Sequence, residues 1–109
     1  MSSRNDIIQL TLPSLYITLS IMHAPRFSSI HLVSVIIVNW NGRSWLEKCL
    51  PPLAAQTYKN FEIIVVDNGS TDDSVAWLAE HWPHVCLLPQ SENLGFAAAN
   101  NVAIRASQA

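Results

Sequence analysis

The chain has 109 residues, half of them hydrophobic, with six basic against eight acidic side chains and a formal charge of −2. That length allows one small domain or part of a larger one, and a chain that buries only about two-thirds of its unfolded surface has a thin stability margin if it stands alone. The singly scattered Lys and Arg residues make no basic field, which excludes a binder of the nucleic-acid backbone, and Cys49 and Cys86 lie too far apart for a Cys-x-x-Cys motif, so both read as reduced core thiols.

Residues 1–32 differ in kind from the rest of the chain. "IIQLTLPSLYITLSIM", residues 7–22, is apolar but interrupted by Gln9, Pro13 and several hydroxyls, and it is shorter than the ~20 residues of a membrane span. Arg4 is offset by Asp6, and "HAPRF" offers no small-residue cleavage site, which argues against a signal peptide. The segment therefore reads as an N-terminal extension, either disordered or upstream of a true start at Met22, with the folded unit occupying 33–109.

"VSVIIVN", residues 33–39, is a nearly unbroken β-branched run, the signature of a strand buried on both faces of a parallel sheet. "NWNG" breaks it, and Ser44 with Glu47 has capping-box spacing for a helix carrying Trp45, Leu46, Cys49, Leu50 and Leu53. Pro51 and Pro52 predict a break near Leu50, with a second short helical piece to Gln56.

"FEIIVVD", residues 61–67, is the second buried strand. Ser70 is the expected cap of the next helix, in which Val75, Leu78, Ala79 and Trp82 share one face. "HVCLLP", residues 84–89, reads as a third strand, and the alanine-rich stretch after Gly95 as a third helix with Phe96, Ala99 and Ala103 on one side. Strand and helix alternating three times with short connections predicts an α/β, doubly wound, mostly parallel Rossmann-like sheet with right-handed crossovers.

In such sheets ligands bind beyond the carboxyl ends of the strands. Three polar segments fall there: "NWNG", "DNGSTD" and "SENLG". Asp67, placed before its turn, can accept the ring N–H of a pyrimidine, while Asn68, Gly69 and Ser70 turn the chain. Asp72 and Asp73 read more simply as favouring the positive end of a helix. Trp40, between Asn39 and Asn41, could stack on a base or pack over the sheet end. Trp45 and Trp82 read as core and Trp77 is open, while His81 and His84 read as surface residues near a helix end. Gly95 allows close backbone approach at a helix start that suits a phosphate. There is no G-x-G-x-x-G and no P-loop motif.

Together "VSVIIVNWNG", "NFEIIVVDNGSTDDS" and "SENLGFAAANN" resemble the start of family 2 glycosyltransferases with the A-type nucleotide-diphospho-sugar transferase fold, the rhamnosyltransferase-like branch most closely, over residues 33–109. The resemblance implies transfer of a sugar from a UDP- or dTDP-activated donor to a saccharide or lipid-linked acceptor. It makes Trp40 and Asp67 the base clamp, with Asn39, Asn41, Asn68, Ser70 and Gly95 as supporting nucleotide contacts. It further implies a divalent cation, Mg or Mn, held by an Asp-x-Asp motif on a following strand, and a later acidic base. No position of this sequence matches either, so the 109 residues alone are expected to be inactive. The location implied is cytoplasmic, with association at the inner membrane face left open and no nucleic-acid partner. The competing reading is a non-catalytic nucleotide-binding module or inactive remnant.

Overall fold

The computed structural model describes residues 5–12, 15–22 and 32–108. Strands β1 (Asn5–Leu12), β2 (Leu15–Met22), β3 (Val33–Asn39), β4 (Phe61–Asp67) and β5 (Cys86–Pro89) form one sheet in that order. β3, β4 and β5 are parallel, and α1 (Arg43–Ala54), α2 (Ser74–His81) and α3 (Phe96–Ala106) each follow one of them.

The unbroken apolar runs of β3 and β4 are explained by what lies on either side of them. Val35, Ile37, Ile63 and Val65 point to one face and pack with Leu46 and Leu50 of α1, Leu78 of α2 and Val85. Ile36, Val38, Ile64 and Val66 point to the other and meet Ala99 and Ala103 of α3. Alternate side chains of a strand leave on opposite faces, so a strand covered on both has no place for a polar alternation. The small alanines bring α3 close to the sheet. Each fully buried aliphatic side chain contributes roughly 1.5–3 kcal/mol, and the two layers together dominate the stability. Trp45, Trp77 and Trp82 are partly buried against the first layer, which settles Trp77 as a packing residue.

Several local expectations are revised. Residues 5–12 and 15–22, read as part of an extension outside the fold, pair as two antiparallel strands, the second of which lies along β3, from Leu15 opposite Asn39 to Ile21 opposite Val33. The described residues of the apolar run thus lie in strands, and no helix among the described residues is long and apolar enough to cross a membrane. α1 begins at Arg43 behind Gly42 with no side-chain cap, so Ser44 lies inside the first turn and forms no capping box. It continues through Pro51 and Pro52 to Ala54 rather than breaking at Leu50. Burial of Leu46 and Leu50 on the sheet, one turn apart, outweighs the two lost backbone donors. β5 is shorter than read, and as an edge strand it leaves Cys86 exposed, not in the core; Cys49 is half-buried, and burial pushes its thiol up.

Candidate nucleotide site at the carboxyl ends of the strands

Parallel pairing in register sets Asn39, the last residue of β3, directly beside Asp67, the last residue of β4. Both are buried, at 0% and 1% exposure, so the polar groups at this point must satisfy one another. Asn39 Nδ2 donates to Asp67 Oδ1 at 2.9 Å, and the Ser70 hydroxyl donates to the same oxygen at 2.7 Å. The Ser70 backbone N–H donates to Asp67 Oδ2 at 2.9 Å, closing the turn of loop 2 (residues 68–73) on its own first carboxylate. Asn39 Oδ1 is buried and has no partner among the described residues. Turning the amide over would set oxygen against carboxylate, so the orientation is fixed by Asp67.

Loop 1 (residues 40–42) is tied to loop 2 through Asn41, the one non-glycine residue with positive φ (51°) among those described. Its backbone N–H donates to Ser70 Oγ at 2.9 Å, and its Oδ1 accepts the backbone N–H groups of Thr71 and Asp72 at 2.7 and 3.1 Å. Further out, Asp72 accepts the Arg43 backbone N–H and both the N–H and hydroxyl of Ser74. Desolvation works against the Asp72 charge, but those hydrogen bonds, from Ser74 first, outweigh it and hold the carboxyl below its ordinary range. Arg43 pairs with Asp73 at 2.7 Å, lies over the Trp77 ring, and makes a charge contact with Glu47 without hydrogen-bond alignment. Ser70, expected to cap α2, is thus committed to loops 1 and 2, and the helix begins behind Asp73 instead.

Loop 3 (residues 90–95) is bound to loop 2 by Asn68. Its Nδ2 donates to Asn93 Oδ1 at 3.0 Å and its Oδ1 accepts the Leu94 N–H at 2.8 Å. Gly69 (φ 81°) brings the two backbones together so closely that a Cβ there would lie 2.8 Å from the Glu92 carbonyl carbon. Gly95 (φ 84°) has open space where a Cβ would be, and its N–H is taken by Asn93 Oδ1 at 2.8 Å, so this glycine serves the backbone turn into α3. Asn93 is a member of this loop network that sequence reasoning does not single out. Its one signal is an Asn two residues ahead of a glycine, an Asx-turn pattern.

The structure therefore brings Asn39, Asn41, Asp67, Asn68 and Ser70 into one continuous network, with Gly95 joined through Asn68 and Asn93. Trp40, 48% exposed, stands out of this ledge between two neighbours whose side chains are both tied down. The carboxylate expected to meet a pyrimidine already accepts three hydrogen bonds from inside the protein. Among the described residues no group of three His, Cys, Asp or Glu could hold a metal ion. Asp67 is committed to its network and Asp73 to Arg43, so the divalent cation implied by the resemblance does not fit the residues present. His81 and His84 are exposed, stacked on Trp77 and tilted on Trp82.

The family model of glycosyl transferase family 2 matches residues 34–109. The chain belongs to that family. As a family 2 chain it is 40% identical over 74 residues to glycosyltransferase GlyA of Streptococcus pneumoniae, a match covering 66% of this chain and 11% of GlyA. It is 33% identical over 70 residues, 64% of its length, to the N-acetylglucosaminyl-diphospho-decaprenol L-rhamnosyltransferase of Mycobacterium tuberculosis, covering 23% of that protein. Among solved structures it is similar to the mannosyltransferase PcManGT from Pyrobaculum calidifontis, determined in complex with GDP-Man and Mn2+. That match has a TM-score of 0.57 and 30% identity and covers 67% of this chain and 23% of the other. The chain thus spans a quarter or less of the length of these relatives. The A-type fold expected from the sequence is shown, and the rhamnosyltransferase among its relatives accords with the branch named there.

Proposed function

We propose that this chain forms the donor-binding front of a glycosyltransferase that moves a sugar from a nucleotide-diphosphate donor to a saccharide or lipid-linked acceptor. The observation that carries the reading is Trp40, an exposed indole on a rigid polar ledge at the carboxyl ends of the parallel strands of a family 2 chain. An exposed tryptophan whose flanking residues are both fixed offers a base a stacking face at little entropic cost, and such a stack is worth roughly 1–3 kcal/mol. In this reading Asp67 and Ser70 form the frame beneath the base, and Asn68 holds loop 3 against it. The ring N–H contact first expected of Asp67 would require that carboxylate to give up an internal partner or use its remaining lone pair. In this reading the cation and the acidic base implied by the resemblance have no matching position in this sequence. A cytoplasmic location is part of the same reading, at the inner membrane face if the acceptor is lipid-linked.

The test is a titration of the folded chain with UDP, dTDP and GDP, followed through the indole resonances and isothermal calorimetry. At least one nucleotide should bind and shift the Trp40 signal. Trp40→Ala should weaken that binding roughly 10- to 100-fold, the equivalent of one lost base stack. A folded chain that binds none of them, or an alanine variant with undiminished affinity, would sink the reading.

A further inference from the structure

We infer that Asn41 is a positioning residue whose side chain latches loop 1 to loop 2 and thereby fixes the direction in which Trp40 projects. Three observations meet at this residue. Its backbone is left-handed, with φ 51°, a conformation that most side chains resist and that Asn tolerates best after glycine. Its Oδ1 is a shared acceptor for Thr71 N–H at 2.7 Å and Asp72 N–H at 3.1 Å, with the Thr71 hydroxyl at 3.3 Å. Its own N–H donates to Ser70 Oγ, which hangs from the buried Asp67.

The consequence concerns the residue before it. Asn39 is held by Asp67 on one side of Trp40, and Asn41 is held by loop 2 on the other. The exposed indole is thus carried on a peptide pinned at both neighbours, and loop 1 cannot swing without breaking bonds to the backbone of loop 2. A side chain read from sequence as a nucleotide contact has its acceptor oxygen occupied by two main-chain donors of loop 2. Glycine at this position would keep the backbone conformation and lose the latch, and aspartate would keep an acceptor oxygen on the same stem. That pair of variants separates the latch from the turn. The use of the latch for donor binding rests on the reading of Trp40 as a base platform; the latch itself does not.

The experiment uses the full chain labelled with 15N, as wild type, Asn41→Gly and Asn41→Asp. It reads amide exchange at Thr71 and Asp72, the mobility of the Trp40 indole N–H, and affinity for GDP and UDP as probes. In the Gly variant exchange at both amides should rise about tenfold or more, the indole should become more mobile, and nucleotide affinity should fall by a similar factor. The Asp variant should stay within about threefold of wild type in all three. Unchanged amide exchange in the Gly variant would overturn the latch. Faster exchange with an indole no more mobile would overturn its role in fixing Trp40. A wild type that binds neither GDP nor UDP, while the amide and indole responses appear as expected, would count against the donor reading and leave the positioning of Trp40 established.

Discussion

At the scale of single residues, the network around Asp67 is costly to leave half-made. Truncating Asp67 to alanine would leave the buried Asn39 amide only the Ser70 hydroxyl at 3.3 Å and would take from the half-buried Ser70 the acceptor of both its N–H and its hydroxyl. A buried donor that loses its partner costs about 1–3 kcal/mol, so Asp67→Ala should lower the urea midpoint by the equivalent of about 1–3 kcal/mol, unlike the surface carboxylate changes Glu80→Ala and Glu92→Ala. Gly69 is constrained twice, by its positive φ and by the Glu92 backbone 2.8 Å from where a Cβ would lie. Gly69→Ala should therefore cost more than the roughly 1–2 kcal/mol of the backbone conformation alone and should part loop 2 from loop 3. Thermal unfolding would give the first quantity. Exchange of the Leu94 amide, which donates to Asn68, would report the second. Asp67 could be picked out from sequence as an unusual residue because it precedes its turn. Which atoms it serves could not, since Asn39 lies 28 positions away and only strand register makes them neighbours.

At the scale of elements, the edge of β3 shows how one strand governs another. The Val33 N–H donates to Asn60 O, and Asn39 O accepts from Asn68 N, so the odd-numbered residues of β3 turn their backbone groups toward β4. By alternation Ser34, Ile36 and Val38 turn theirs toward β2, opposite Ser20, Thr18 and Tyr16. β3 carries no charged residue, and an uncovered apolar edge of this kind pairs readily with other chains. Hydrogen exchange should find the amides of Ser34, Ile36 and Val38 about as protected as those of Val35 and Ile37. Thr18→Pro, which removes a donor facing Ile36, should release the first group and spare the second. Equal, fast exchange of Ser34, Ile36 and Val38 in the unaltered chain would mean that β2 does not cover this edge. At the far end of the sheet, Ser34 and Ser107 both bond Glu62, and the Gln108 N–H joins them at 2.7 Å, which ties the end of α3 to the start of β3 and β4. The even spacing of strands and helices made these elements legible, but their ends were not. Ser44 and Ser70 both have the sequence of helix caps, and neither caps a helix, because Ser70 finds stronger partners across the loops and the first turn of α1 starts at Arg43 behind Gly42.

At the scale of the whole molecule, two thin apolar layers on either face of three parallel strands hold up three loops on one side. The loops are joined loop 1 to 2 by Asn41 and loop 2 to 3 by Asn68. The amino-acid sequence determined the parallel α/β architecture by itself, because unbroken β-branched runs need cover on both faces and the intervening amphipathic helices are what this chain has to cover them. It also determined that the polar residues gather after the strands, since turn chemistry and ladder chemistry exclude each other over the same few positions. Tertiary structure alone decided that a segment read as an extension lies against β3, because pairing satisfies backbone groups and leaves little mark on side-chain pattern. It also decided which of the candidate site residues bond to one another. Asn39, Asn41, Asp67, Asn68 and Ser70 are all good hydrogen-bonding side chains, and sequence cannot tell a group that awaits a ligand from one whose partner is another loop. Three-dimensional register turned these five inward upon each other and left Trp40 facing out.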